Sequence, residues 1–147
     1  MSNVVVNPNN WHWVDKNALP WAKDYLTEKL CAVVHTAAGK QFKIKEVKSI
    51  SGDCDVTQRK GKVRCIFELK VEIVALIIED EDEKEVIIIL PEFEHDYDED
   101  DFRFEYKGDV GARGFIKKEL TPKIIEQFLT FQPALLKEHE VELKHNV

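Results

Sequence analysis

Apolar and charged residues alternate strictly along the middle of the chain, from Val63 to Ile73. Successive side chains of a β-strand point to opposite faces, so a period of two predicts a long strand with one buried face. Ile66 and Val74 are the two apolar residues on the face that is predicted to contact water. The apolar members of the alternation are Val63, Cys65, Phe67, Leu69, Val71 and Ile73.

Three other segments have the composition of strands, and short polar turns separate them. The first alternates imperfectly, which predicts a bulge near Glu46. Strands joined by short turns pair antiparallel, so the four segments together predict a four-stranded antiparallel meander. In chain order, the apolar positions of the three segments are Phe42, Ile44, Val47 and Ile50; Val86 to Leu90 with Phe93; and Phe102, Phe104 and Tyr106.

A helical pattern precedes the strands. It predicts a helix from Pro20 to about Val34, in which proline suits the first turn because its missing N–H has no partner there. Ala37-Ala38-Gly39 is predicted to close this segment. The apolar residues at helical spacing are Trp21, Tyr25, Leu26, Leu30 and Val33.

A longer helical pattern follows the strands, from Asp109 to about Leu143. Pro122 and Pro133 interrupt it. Each removes a backbone hydrogen bond, so a break or kink is predicted just before one or both.

These elements predict an α+β fold: an N-terminal helix, a four-stranded antiparallel meander sheet and a long C-terminal helix packed along the sheet. The length of 147 residues is that of one domain, so residues 1–147 are expected to form one unit, with residues 1–17 as an ordered arm. The residues that the long helix is predicted to cover are Val63, Phe67, Val71, Phe102 and Phe104.

Charge is distributed unevenly along the chain. The formal net charge is −7, but the window from Glu79 to Asp101 holds 13 acids and one base, Lys84. The rest of the chain is therefore net positive. The overall sign argues against nucleic acid as a partner, and the asymmetry predicts a bipolar surface that orients a charged protein partner.

The sequence contains few signals of catalytic or metal chemistry. Cys31, Cys54 and Cys65 have no CxxC spacing, so they are predicted to be reduced, partly buried apolar fillers, which favours the cytoplasm, with the nucleus as a second location. No zinc or nucleotide-binding motif is present. The aspartates at 96, 98 and 100 alternate as in a calcium loop but lack its glycine and terminal glutamate, which favours a solvated turn. We expect a protein that is not an enzyme and has no cofactor, no metal and no membrane span.

Two segments are unusual enough to be candidate sites. The first is NPNNWHWVDKN, whose residues Asn7, Asn9, Asn10, Trp11, His12 and Trp13 form either a structural strap or a partner-contact arm. The second is the basic loop that holds Arg59, Lys60, Lys62 and Arg64. Gly61 lets the backbone of this loop turn tightly. The loop is either a solvated hairpin tip or a charged finger that contacts a partner. Asp53 and Asp55 lie just upstream and either hold the basic side chains or make a contact of their own.

Together these segments resemble one family. NPNNWHWVDKN, followed about 40 residues later by GDCDVTQRKGK, is similar to the N-terminal domain of the activator of the 90-kDa heat-shock protein ATPase. The segment KELTPK, residues 118–123, is similar to the start of that domain's last helix. The sequence is more similar to the single-domain, high-copy-suppressor-type homologue than to the two-domain activator, and a truncated two-domain activator stays open as an alternative.

The resemblance implies a function and a partner. A domain of this family docks along the middle domain of the chaperone, and Arg59, Lys60 and Lys62 would reach the catalytic loop there and favour the ATPase-competent state. We call Asn7 to Trp13 the asparagine-tryptophan arm. The resemblance implies that this arm acts in ATPase stimulation rather than in docking. The protein is expected to be a monomer on its own. Two other functions stay open from the residues: a passive holdase or scaffold that binds clients through exposed aromatics, and a small-molecule carrier or enzyme.

Overall fold

The computed structural model describes residues 13–59 and 61–145 as one α+β unit with a six-stranded sheet. The strands are β1 Trp13–Asn17, β2 Val34–Ala37, β3 Lys40–Arg59, β4 Lys62–Glu79, β5 Asp82–Glu94 and β6 Glu105–Gly108. The helices are α1 Leu19–Cys31, α2 Val110–Phe115 and α3 Thr121–His145. A 3-10 turn, Glu99–Asp101, precedes β6, and a π-helical segment, Ile116–Leu120, joins α2 to α3.

The sheet contains the predicted meander and two additional short strands. β3, β4, β5 and β6 pair antiparallel in chain order, which confirms the four-stranded core of the prediction. β1 and β2 both pair with the outer edge of β3, at its two ends. The predicted number of strands was therefore too small, because the pairing of these short segments depends on residues far away in the chain.

Helix α1 is shorter than predicted. It ends at Cys31, and Ala22, Leu26 and Leu30 are its buried residues. The prediction that Ala37-Ala38-Gly39 closes the helix was wrong, because Ala37 ends β2 and Ala38 and Gly39 form the turn of the β2–β3 hairpin. Both turn residues have positive φ, 53° and 77°.

Two other local predictions have different outcomes. The bulge near Glu46 is confirmed by a register shift between Ile44 and Glu46. The strand predicted over Phe102 to Tyr106 was partly wrong, since β6 begins only at Glu105. The reason is the preceding 3-10 turn, in which Asp98 accepts a hydrogen bond from the Asp100 N–H at 3.0 Å and fixes an irregular backbone.

The core lies between one face of the sheet and the helices α1 and α3. Phe67 of β4 packs edge-on against Phe131 of α3, with ring centroids 5.0 Å apart. Phe102 and Phe104 pack against Phe128 of the same helix, at 5.8 and 6.4 Å. The predicted position of the long helix over the sheet is thereby confirmed.

The C-terminal helical segment is irregular at the first of its two prolines. The backbone N–H of Thr121 donates to the carbonyl oxygen of Ile116, five residues earlier, and the Thr121 hydroxyl donates to the same oxygen at 3.2 Å. Pro122 has no N–H and clashes with the carbonyl four residues before it, so the helix widens just before this proline, as predicted. Pro133 lies inside α3.

Candidate partner-binding site

The basic loop is the tip of the long β3–β4 hairpin. Arg59 pairs with Lys62, and two residues further Thr57 pairs with Arg64. Gly61 has a φ of +80°, which suits a tight two-residue turn. We call residues 59–62 the hairpin tip; Lys60 lies outside the described residues. The predicted basic residues 59, 62 and 64 are therefore brought together at one end of a rigid pair of strands.

The hairpin has one buried face and one outward face. Cys65 and Phe67 point into the core, whereas Lys62, Arg64 and Ile66 alternate with them and are exposed. The side chain of Ile66 is 60% exposed, which places an aliphatic surface next to the basic residues. The sequence pattern shows Ile66 only as an apolar exception on the solvent-exposed face and does not place it in the site. This break in the alternation is the one sequence signal that could identify Ile66 as a site residue.

The structure separates Asp53 from the tip. Asp53 pairs with Glu68 and lies six positions, or about 20 Å of extended strand, from Arg59. The prediction that it holds the basic side chains of the tip was therefore wrong, because an aspartate cannot span that distance. A direct contact of Asp53 with a partner stays a prediction. Asp55 is closer to the tip and pairs with Ile66.

The inner face of the hairpin is well anchored. Cys54 and Val56 of β3 are almost fully buried, and the Ala18 N–H donates to the Cys54 carbonyl oxygen at 2.7 Å. Burial raises the pKa of the Cys54 thiol to about 12 and that of the Cys65 thiol to about 11. Both are therefore protonated packing groups, as predicted. Cys31 is exposed, so the prediction of a buried filler was wrong there.

The hairpin tip and the acidic β4–β5 turn lie at opposite ends of β4. Lys62 begins this strand at the hairpin tip, and Glu79 ends it at the acidic β4–β5 turn. A strand of 18 residues is about 55–60 Å long. Six of the 13 acids in the window lie at or next to this turn, whereas the other seven lie at and after the end of β5, where Glu94 pairs with Glu68. The structure therefore does not divide the charge into two separated poles, and the bipolar surface stays a prediction.

Strand β1 carries the end of the asparagine-tryptophan arm into the sheet. Trp13 pairs with Arg59 and Asn17 with Asp55, so the chain joins the sheet at the hairpin tip. The other predicted arm residues lie outside the described residues: Asn7, Asn9, Asn10, Trp11 and His12.

The described residues offer little that suggests metal or catalytic chemistry. Within residues 13–59 and 61–145, no group of three His, Cys, Asp or Glu side chains is arranged to hold a metal ion. The carboxylates of Asp96 and Asp98 are engaged in local contacts: Asp96 accepts from the Gln132 side-chain amide at 2.9 Å, and Asp98 caps the 3-10 turn. Among the same residues, no helix is long and apolar enough to cross a membrane.

Comparison with known proteins agrees with this architecture. The family described as "Activator of Hsp90 ATPase, N-terminal" matches residues 15–139. The chain belongs to this family. The resemblance first seen in NPNNWHWVDKN and GDCDVTQRKGK is thereby confirmed.

Two relatives from Saccharomyces cerevisiae illustrate the range of the family. The Hsp90 co-chaperone HCH1 is 39% identical over 151 residues, which cover 96% of this chain and 99% of the relative. The Hsp90 co-chaperone AHA1 is 40% identical over 149 residues, which cover 92% of this chain but only 43% of the relative. Both relatives are named co-chaperones.

Solved structures show that the fold is shared. The crystal structure of Aha-1 from Plasmodium falciparum superposes with a TM-score of 0.78, at 23% identity, over 90% of this chain and 94% of that one. The solution structure of the human Aha1 N-terminal domain superposes with a TM-score of 0.68, at 17% identity, over 86% of this chain and 98% of that one. The α+β prediction is confirmed by these neighbours, although the sheet has two more strands than predicted.

Proposed function

We propose that this protein is a co-chaperone that docks on the middle domain of Hsp90 and stimulates its ATPase by shifting the catalytic loop. The observation that carries the proposal is the hairpin tip, where exposed Lys62 and Arg64 extend from a hairpin with a buried inner face. Cationic side chains that extend from paired strands lose less conformational entropy on binding than those of an unstructured segment would.

The outer face of the hairpin supports docking by a second kind of contact. Ile66 is exposed between charged neighbours, an arrangement in which a small apolar contact is surrounded by polar residues. Binding energy in protein interfaces is concentrated in such central residues, while the charged rim mainly sets orientation and association rate. The tip and Ile66 would thus act as one docking face.

Stimulation requires that the co-chaperone bind the active state of Hsp90 better than the inactive state. A tenfold increase in rate needs about 1.4 kcal/mol of differential binding if closure limits turnover. Truncation of one partner of a desolvated charge pair costs roughly 2–5 kcal/mol, so a few ordered contacts from the tip are sufficient.

The remaining parts of the proposal follow from this assignment. The protein acts as a monomeric binding partner rather than as an enzyme, in the cytoplasm, where Hsp90 would be its partner. The arm ending at Trp13 contributes to stimulation, since β1 attaches it beside the tip. A carrier function is not favoured, because large aromatic side chains occupy the space between the sheet and α3.

A coupled ATPase assay of purified Hsp90, corrected with a specific Hsp90 inhibitor, tests the proposal. We expect the Arg59→Ala, Lys60→Ala, Lys62→Ala triple variant to lose most of the stimulation. The matched control removes three exposed lysines elsewhere, at positions 23, 117 and 118, and should keep it. Equal stimulation by the tip variant and the wild type would contradict the proposal. Suppression of client aggregation without Hsp90 would instead indicate a holdase.

A further inference from the structure

Gly52 lies in β3 at an unusually close approach to the neighbouring strand. It pairs with Leu69, and its φ is +124°, a backbone conformation that L side chains rarely adopt. A Cβ placed on Gly52 would lie 2.1 Å from the carbonyl oxygen of Glu68, far inside the usual contact distance. A glycine inside a strand commonly marks such an approach. No other residue fits here unless the two backbones move apart by about 1 Å.

Gly52 lies close to the point where the pairing between β4 and β5 ends and the β3–β4 hairpin continues toward its tip. Pairing between β4 and β5 extends only to Glu68, which lies opposite Glu94. Within the described residues, the part of β4 nearer the tip pairs with β3 alone, apart from contacts between Phe67 and His95. The His95 N–H donates to the Phe67 carbonyl oxygen at 3.3 Å, and the Phe67 N–H lies 3.4 Å from His95 Nδ1. We call this part the ribbon: β1, residues 53–59 of β3 and residues 62–67 of β4. Its inner face packs on the core through Cys54, Val56, Cys65 and Phe67.

A small change at the base of the ribbon is amplified at its tip. Gly52 lies seven positions, or about 23 Å of extended chain, from Arg59. At that length a tilt of about three degrees moves the tip by about 1 Å. Displacements of this size are large compared with the tolerance of ordered charge contacts, which depend on hydrogen-bond distance and angle.

We propose that Gly52 is a positioning residue that sets the direction of the hairpin tip, and that its missing side chain is required for partner binding as well as for folding. The inference rests on the proposed function, because it assumes that the tip contacts Hsp90. It adds a residue that contacts no partner and acts only through the angle between the ribbon and the sheet.

A second glycine provides a matched control. Gly108 in β6 also has a positive φ, +142°, and a Cβ there would lie 3.0 Å from the carbonyl oxygen of Glu85. It therefore combines backbone strain with a close strand contact. It lies on β6, the opposite edge strand of the sheet from β1. Gly108→Ala should thus lose stability without changing the direction of the tip.

Stopped-flow binding to the isolated Hsp90 middle domain tests the proposal. Gly52→Ala, Gly108→Ala and the wild type are compared per folded molecule, with the folded fraction taken from urea unfolding at the same temperature. Gly52→Ala keeps every charge, so its association rate and salt dependence should stay within about twofold of the wild type. Its dissociation rate should rise at least about tenfold, while that of Gly108→Ala should not change.

A wild-type dissociation rate for Gly52→Ala would overturn the inference and leave the proposed function intact. Absence of binding by the wild type would overturn both.

Amide exchange in the wild type gives a measurement that does not depend on whether the variant folds. A fixed base predicts that the amides of Asp53 and Glu68, which face each other across the β3–β4 ladder, exchange only through global unfolding. Exchange as fast as that of a frayed strand end would make this base a flexible hinge and overturn the inference.

Discussion

Trp13 lies directly opposite Arg59 in the ladder between β1 and β3. These residues belong to the two segments that are most unusual in the sequence, and they are 46 positions apart in the chain. Because β1 runs antiparallel to β3, the chain enters the sheet at the hairpin tip and then runs away from it. The arm and the tip are therefore attached to the same end of the fold, which favours one shared partner for both.

The pairing of β1 should be needed for full activity. The Ala18 N–H donates to the Cys54 carbonyl oxygen, and hydrogen-bonded pairs alternate in antiparallel ladders, so Lys16 donates to β3 whereas the Asp15 N–H points away. Lys16→Pro should lower the free energy of unfolding by about 1 kcal/mol and reduce ATPase stimulation.

Asp15→Pro serves as the control for that variant, because the Asp15 N–H is on the side of β1 away from β3 and proline there removes no hydrogen bond of the β1–β3 ladder. Asp15→Ala is measured beside it, to account for the loss of the carboxylate. The expectation fails if both proline variants unfold at the same urea concentration and stimulate equally.

Ile66 should contribute to binding but not to stability. Its side chain is 60% exposed, so removing it costs little packing, and Ile66→Ala should change the free energy of unfolding by less than about 0.5 kcal/mol. The Kd for the Hsp90 middle domain should rise about tenfold, as for a central interface residue. Val110→Ala is the control, since Val110 is 74% exposed on α2. Unchanged affinity of the Ile66 variant in calorimetry would remove this residue from the docking face.

Phe67 should be one of the most costly core residues to truncate. It is almost fully buried and packs on Phe93 and Phe131, each with a centroid separation of 5.0 Å. Phe67→Ala should lower the free energy of unfolding by about 3–5 kcal/mol, measured by denaturant titration. Phe115→Ala, at a position that is 41% exposed, should cost much less. A Phe67 variant that unfolds like the wild type would show that the aromatic core is wrongly assigned.

Stability should fall in alkaline solution because of the buried thiols. The pKa of Cys54 is raised to about 12 and that of Cys65 to about 11, from 9.0. Above pH 9 the unfolded chain loses these protons while the folded chain keeps them, so the free energy of unfolding decreases from about pH 9 to pH 11–12. Well below pH 9, from about pH 8 downward, the thiols are protonated in both states and contribute almost no pH dependence.

The test of the thiols is the pH slope of stability rather than its absolute value. The Cys54→Ala, Cys65→Ala double variant should have a shallower decline between pH 9 and 11 than the wild type. Cys31→Ala is measured beside it as the control for loss of an exposed cysteine. Identical slopes for all three proteins would mean that the buried thiols do not couple to folding.

The sequence predicts the elements whose signals are local. The alternation from Val63 to Ile73 identifies β4 because the helices bury only one face there. The alternation ends beyond Ile73 although the strand continues, since Val74 and Leu76 on one face and Ala75 and Ile77 on the other are all buried. A strand buried on both faces has no period of two, and its full length could not be deduced from the pattern.

The parts that could not be predicted depend on distant residues. β1 and β2 are too short to show a pattern of their own, and they exist because β3 offers an unpaired edge. For the site, the basic composition predicts an exposed tip, but the role suggested for Gly52 depends on the carbonyl oxygen of Glu68, 16 positions later. Asp53 shows the converse, because proximity in the chain suggested a contact with the tip that the register does not allow.

The affinity of this protein for the isolated Hsp90 middle domain, measured as a function of salt concentration, tests the central claim most directly. We predict binding that weakens steadily as salt increases, with a clearly smaller salt dependence and at least tenfold weaker affinity for the Arg59, Lys60, Lys62 triple alanine variant. No association with the middle domain, or the same affinity and salt dependence for both proteins, would contradict it.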